Sequence, residues 1–250
     1  MGERMLELWL RAGHDGVRMA ADPVGQQLFM TLLLKAEGNS AVKFNVRTTN
    51  PAKPHPDFRA AGLKKVPGIA HADEFFEQED DMVEYLTAAI PRPSLQYFDE
   101  DADEACAGLF AKFCYFIKAV DNEHKGLDAE LRKVNAHLQS TKSAFLCGPS
   151  PTQLDCRILP KLHHIRLASS VLMRYDCLED ATGLRELRDY LQRGYESEAF
   201  RKSCPCDQEV LLYWADRPDT APLDVARRTA LLKQSGTYST NVEESLSCVV

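Results

Sequence analysis

The chain has no run of basic residues, no CxxC pair, no cysteine before position 106, and no apolar stretch near the roughly 20 residues of a spanning helix. Each absence excludes something. General nucleic-acid binders neutralise phosphate with clustered Lys and Arg, whereas the net charge here is −7, so no nucleic-acid partner is expected. The cysteines at 106, 114, 147, 156, 177, 204, 206 and 248 are dispersed, and Cys204-Pro205-Cys206 is too tightly spaced for a zinc knuckle. His163 and His164 are adjacent and point to different faces of a helix. No metal site is expected, and most of the cysteines read as small, reduced core residues. The start Met1-Gly2-Glu3-Arg4 lacks the apolar core of a secretory signal, so folding in the cytosol is expected. Leu6 stands where the myristoylation pattern needs Ser or Thr.

What remains is ample for folding: 250 residues, 44% hydrophobic, can bury one large core or two smaller ones. The first part reads β-α-β-α-β-β-α. Leu6, Leu8 and Leu10 alternate with Glu7, Trp9 and Arg11, the period of a strand. A helix opened by Pro23 follows, with Leu28, Phe29, Leu32 and Leu33 on its buried side. A strand is predicted over Val42–Val46, a short helix over Asp57–Leu63, and strands at Ile69 and at Phe75-Phe76. A helix near Glu79 carries Met82, Val83, Leu86 and Ile90 on one face, and Pro91-Arg92-Pro93 ends it.

The second part is helical. One helix opens in the acidic stretch Asp99–Glu104 and keeps its spacing through Leu109, Phe110, Phe113, Phe116 and Ile117. Another runs through Leu127, Leu131, Val134 and Leu138. Thr152 and Asp155 form a structural capping box at the start of a helix that is apolar on most sides, the expected centre of this part. Two further helices fit Gly183–Tyr195 and Pro205–Ala215. From Arg217 the pattern fails and a disordered tail is expected, with one helical stretch near Val225–Leu232. Its terminal Val suits a peptide-binding groove, which makes a protein partner for the tail conceivable.

Asp22 stands out. A strand feeding a helix N-terminus is where unpaired N–H groups and the helix dipole stabilise a reactive thiolate. A carboxylate occupies that place here. It can cap the helix, it opposes any thiolate beside it, and it cannot form a mixed disulfide.

Four segments, Leu6–Gly16 (LELWLRAGHDG), Leu109–Lys118 (LFAKFCYFIK), Leu154–Ile165 (LDCRILPKLHHI) and Ala199–Val210 (AFRKSCPCDQEV), together resemble the chloride intracellular channel family. The resemblance runs from Met5 to Trp214. It implies an α/β thioredoxin-like N-terminal domain and an all-α C-terminal domain, the glutathione transferase-like two-domain architecture. The expected boundaries are 1–92, a linker over 93–98, 99–216, and a tail over 217–250. Vertebrate members carry a cysteine where Asp22 stands, so this chain is similar to the invertebrate branch. The acidic loop expected between Lys142 and Cys147 is missing, and Leu167–Arg174, at the place of a nuclear import signal, is not basic.

The resemblance also implies a glutathione-like groove, vestigial or weakly binding, lined by Asp22, Pro23, Gly25, Val66, Pro67, Glu77 and Gln78, with Pro67 as a cis-proline. It further implies a membrane-entering segment from Pro23 to Val46, including Leu28, Phe29, Leu32, Leu33, Leu34, Lys35, Val42, Phe44 and Val46. Lys35 and Glu37 near mid-bilayer are unfavourable by about 2.5–3.5 kcal/mol each, while each Val, Leu or Phe returns only about 0.3–0.6. Insertion therefore needs rearrangement, acid, or oligomers that shield the charges. The implied function is a chloride intracellular channel-like protein, cytoplasmic with reversible membrane association, that enters membranes, self-associates there and passes chloride. Membrane lipids are the implied partners. The alternatives are a glutathione-dependent thiol oxidoreductase or transferase, for which Asp22 removes the nucleophile, and a non-catalytic scaffold in membrane trafficking.

Overall fold

The computed structural model describes residues 5–118, 124–220, 222–244 and 246, without the Asp180 side chain. The start Met1–Arg4 and the terminal residues 247–250, on which the signal, myristoylation and terminal-valine readings rest, lie outside that range. The chain divides into two units between Gln96 and Tyr97, within the expected linker.

The first unit runs β1 (Leu6–Arg11), α1 (Pro23–Glu37), β2 (Phe44–Thr49), α2 (Pro56–Ala60), β3 (Gly68–His71), β4 (Glu74–Phe76) and α3 (Glu79–Ala89). The strands form one sheet in the order β2-β1-β3-β4. β1 and β2 are parallel, β3 is antiparallel to β1, and β4 is antiparallel to β3. Alternation along β1 sends Leu6, Leu8 and Leu10 to one face, where they pack with Leu28 and Leu32 of α1 and Met82 and Leu86 of α3. Trp9 points the other way and is sealed by Phe58 of α2 and by Leu63. Burying each of these Leu side chains contributes about 1.5–3 kcal/mol.

β2 begins two residues later than its predicted start and ends three later. Its register against β1, from Leu6↔Phe44 to Arg11↔Thr49, sets those limits. Val42 stays in the preceding turn, with its N–H on the carbonyl of Asn39 at 3.0 Å.

The second unit is helical: α4 (Glu100–Ala107), α5 (Leu109–Ile117), α6 (Lys125–Thr141), α7 (Gln153–Met173), α8 (Arg185–Glu196), α9 (Glu198–Ser203), α10 (Asp207–Ala215) and α11 (Val225–Lys233). The helix predicted to run unbroken from Asp99 to Ile117 is two helices. They part at Gly108, where a Cβ would lie 2.4 Å from a Glu130 carboxylate oxygen on α6.

α7 is the buried centre, and its capping box forms. Asp155 is fully buried. Its carboxylate accepts from the N–H and hydroxyl of Thr152 (2.7 and 2.8 Å), the N–H of Leu146 (3.0 Å) and the hydroxyl of Tyr190 (2.9 Å). Burial still pushes its carboxyl above the usual range, against those four donors.

The expectation of a disordered tail is corrected across the described residues from 217 to 246. α11 buries Leu231, and Leu246 is buried near the far end. Between them the backbone is held by polar side chains of α7, α8 and α10. A low-hydrophobicity segment looks unfoldable in isolation, but here other helices supply the partners for its backbone.

Candidate functional site

Register brings most of the predicted groove residues to one end of the sheet. Trp9 pairs with Gly68, so the chain direction carries Pro67 and Val66 to the C-terminal end of β1. The Ala20 N–H reaches the Arg11 carbonyl at 2.8 Å, turning the loop back so that Asp22 opens α1 at the same end. Phe76 pairs with Ile69, which places Glu77 there too.

Most of these residues have a definite local task. Asp22 has extended backbone angles, φ −95° and ψ 116°, and its carboxylate accepts the Gly25 N–H at 3.2 Å. Pro23 takes the first helical position, where its missing N–H leaves no bond unmade. Gly25 lets α1 approach β1, since a Cβ there would lie 3.1 Å from the Leu10 side chain. The Val66–Pro67 bond is cis. The Glu77 carboxylate accepts the backbone N–H groups of Lys64 and Lys65, so it closes the loop that presents Val66 and Pro67. Gln78 is exposed and precedes α3 without a side-chain capping bond.

This end of the sheet caps a helix and braces a loop. The sequence of the first unit contains no cysteine, so a thiolate has no source in it. Burial pushes the Cys106 and Cys177 thiols up to about 12 and the Cys147 thiol to about 11, which makes these three poor nucleophiles.

The residues predicted to enter a membrane are structural in this fold. Leu28 and Leu32 are fully buried in the sheet-facing core, and Phe29 meets Phe44 edge-on at 6.4 Å. Leu34 is buried, Leu33 and Val46 are half-buried, and Val42 occupies its turn. Lys35 is 1% exposed, and its ammonium donates to the carbonyls of Ile90 (2.5 Å) and Pro93 (3.4 Å) at the end of α3. No helix among the described residues is long and apolar enough to cross a membrane.

Three features were not read from the sequence. On the α2 side of the sheet lies a cavity of about 610 Å³ lined by Glu7, Arg47, Asp57, Ala70 and Phe75 among others. The Arg47 guanidinium sits 4.3 Å over the Trp9 ring and pairs with Asp57 at 2.6 Å and Glu7 at 3.4 Å. Its hydrogen bond with Asp57 raises Arg47 and lowers Asp57. In the second unit the His163–His164 pair is wholly buried, His163 meeting Tyr195 and His164 meeting Trp214. Arg166 and Asp207 are buried beneath the C-terminal segment. In all three cases the partners come from distant elements, and only the adjacent histidines were visible as a signal.

Residues 117–193 match the family model for the glutathione S-transferase C-terminal domain. The chain is 35% identical over 239 residues to chloride intracellular channel exl-1 of Caenorhabditis elegans, covering 94% of this chain and 98% of that protein. It is 30% identical over 213 residues to chloride intracellular channel Clic of Drosophila melanogaster, covering 84% of this chain and 80% of that protein. The crystal structure of the CLIC homologue EXC-4 from C. elegans superposes with a TM-score of 0.81 at 22% identity, covering 97% of this chain and 90% of that one. That structure shares the two-domain glutathione transferase-like fold.

Proposed function

The chain belongs to the chloride intracellular channel family, and on that premise we propose that it is a cytoplasmic protein that associates reversibly with membranes and, once rearranged, conducts chloride. The near full-length similarity to two proteins named chloride intracellular channels carries this reading. No described helix is long and apolar enough to span a bilayer, so on this reading entry requires the fold to rearrange.

Entry through the Pro23–Val46 segment requires α1 to leave the sheet. That motion exposes Leu28 and Leu32 and breaks the bonds from Lys35 to Ile90 and Pro93. Acid favours such a step, since neutral carboxyl groups are less unfavourable in hydrocarbon than carboxylates. Membrane lipids are the partners, and self-association shields the remaining charge.

The groove at the C-terminal end of β1 supports at most weak glutathione binding. The reading as a thiol oxidoreductase or transferase gains nothing from Asp22, which supplies negative charge where that chemistry needs a stabilised thiolate.

Chloride efflux from anionic liposomes and co-flotation, each measured at pH 7 and pH 5, test the proposal. Binding and efflux at pH 5 support it, and absence of binding at both values refutes it.

A further inference from the structure

The sequence has no basic run, yet folding gathers cations on one side of the first unit. Residues 53–65 carry Lys53, Arg59, Lys64 and Lys65 against a single acid, Asp57. Phe58 and Leu63 are buried with Trp9 and pin this stretch to the sheet. The Gly62 N–H reaches the Arg59 carbonyl at 3.0 Å and the Leu63 N–H the Phe58 carbonyl at 3.3 Å, so the chain turns tightly after α2. α2 has only five residues, a length of about 7.5 Å, so the cations before, on and after it share one small surface.

All four are exposed, and among the described residues none of their side chains is held in an ion pair. Asp57 is already balanced by Arg47 at 2.6 Å. The Glu77 carboxylate, on the backbone of Lys64 and Lys65, sets one negative charge beside the four positive ones. Asp73 and Glu74, on the rim of the cavity that Ala60 and Gly62 also line, bound the patch on that side. The other face of the sheet has the reverse sign. α3 packs there with Leu6, Leu8 and Leu10, and its first turn carries Glu79, Asp80 and Asp81.

We infer that the α2 face is the surface by which this chain docks on an anionic lipid bilayer, with the α3 face turned to solvent. The inference rests on the membrane association proposed above, and adds which face meets the lipid and what charge the lipid carries. A chain of net charge −7 is repelled by such a leaflet as a whole. The field of the leaflet falls off within a Debye length of about 8 Å, so the charges on the facing surface decide the outcome. Because α1 lies with α3 on the other face, docking leaves α1 in its seat. Docking is thus a reversible step that precedes entry.

The test is co-flotation of the full chain with vesicles of phosphatidylcholine alone and of phosphatidylcholine mixed with phosphatidylserine, at pH 7 and pH 5. An anionic leaflet favours each nearby Lys or Arg by about fivefold in binding constant, the equivalent of about 1 kcal/mol. Lys64→Gln/Lys65→Gln should therefore bind the mixed vesicles about 25-fold more weakly than the wild type, and adding Lys53→Gln and Arg59→Gln should lower binding at least about 100-fold. Thermal unfolding of both variants should match the wild type. The control Arg132→Gln/Lys142→Gln/Arg201→Gln/Lys233→Gln removes the same charge from exposed positions of the second unit and should bind within about threefold of the wild type. Equal binding by the patch and control variants overturns the inference and leaves the membrane reading standing, as does equal flotation of the wild type with both vesicle types. A wild type that floats with neither vesicle at either pH refutes the membrane reading and the inference together, and retention on immobilised poly-glutamate would then assign the face to an acidic protein.

Discussion

Acidification from pH 7 to pH 5 should remove about 4 kcal/mol of stability from the helical unit, through two buried histidines. His163 and His164 lie on α7 with almost no exposure. The Trp214 indole N–H donates to His164 Nδ1 at 3.1 Å. An indole N–H can only donate, so that nitrogen bears a lone pair and the ring is neutral. Burial, then the nearby Arg166 charge, lowers His163 to about 3. Burial first, then His163 and Arg217, depresses His164 well below its ordinary value.

Both folded values lie below the unfolded value of about 6.5, so the unfolded chain takes up protons first as the pH falls. Stability is intact above that value and is lost below it for as long as the folded rings stay neutral. Between pH 7 and 5 each ring contributes a loss of about 2 kcal/mol, set by the unfolded value alone. Together they remove a large share of the 5–15 kcal/mol typical of a folded protein. Asp155, raised by burial, has the opposite sign and offsets part of the loss at the acid end.

Urea unfolding at the two pH values, followed by Trp214 fluorescence in a Trp9→Phe background, measures the difference. The His163→Gln/His164→Gln variant keeps polar partners for Tyr195 and Trp214 but does not titrate, and its pH difference should fall below about 1 kcal/mol. An equal pH difference in wild type and variant refutes the reasoning.

Four further outcomes are expected. Lys35→Met leaves the Ile90 and Pro93 carbonyls without their charged donor and should destabilise the first unit by about 2 kcal/mol in thermal unfolding; an unchanged melting temperature contradicts that role. Asp22→Ala should cost about 1 kcal/mol through loss of the cap on Gly25, with Asp22→Asn near neutral. Asp22→Cys should create a thiol whose iodoacetamide reactivity has its midpoint below the ordinary value of about 8.5, and a midpoint at or above it would show that the helix end does not stabilise a thiolate. Asp155→Ala strands four donors and should lose about 3 kcal/mol or more; equal urea midpoints for variant and wild type would show the network contributes nothing.

Much of the first unit was legible because its signals are local. The Leu6, Leu8, Leu10 alternation, the Asp22-Pro23 helix start and the Met82–Leu86 face each lie within one element, and each forms as read. The groove was legible only in part. Asp22 was identifiable as a cap, but the task of Glu77, which holds the backbone of Lys64 and Lys65, depends on a strand pairing that periodicity does not reveal.

By itself the sequence determined the element types, the buried stripes, the Thr152–Asp155 cap and the presence of a carboxylate where sulfur chemistry would start, because these depend on residues within a turn or two of each other. Tertiary structure alone decided the limits of β2, the break at Gly108, the partners of His163 and His164, and the seating of residues 235–244. Strand register, close approach of a helix, and the partners of buried charges such as Arg166 and Asp207 join groups some 20 to 80 residues apart. Which of the many chemically compatible partners is reached depends on packing in space, and no local pattern encodes it.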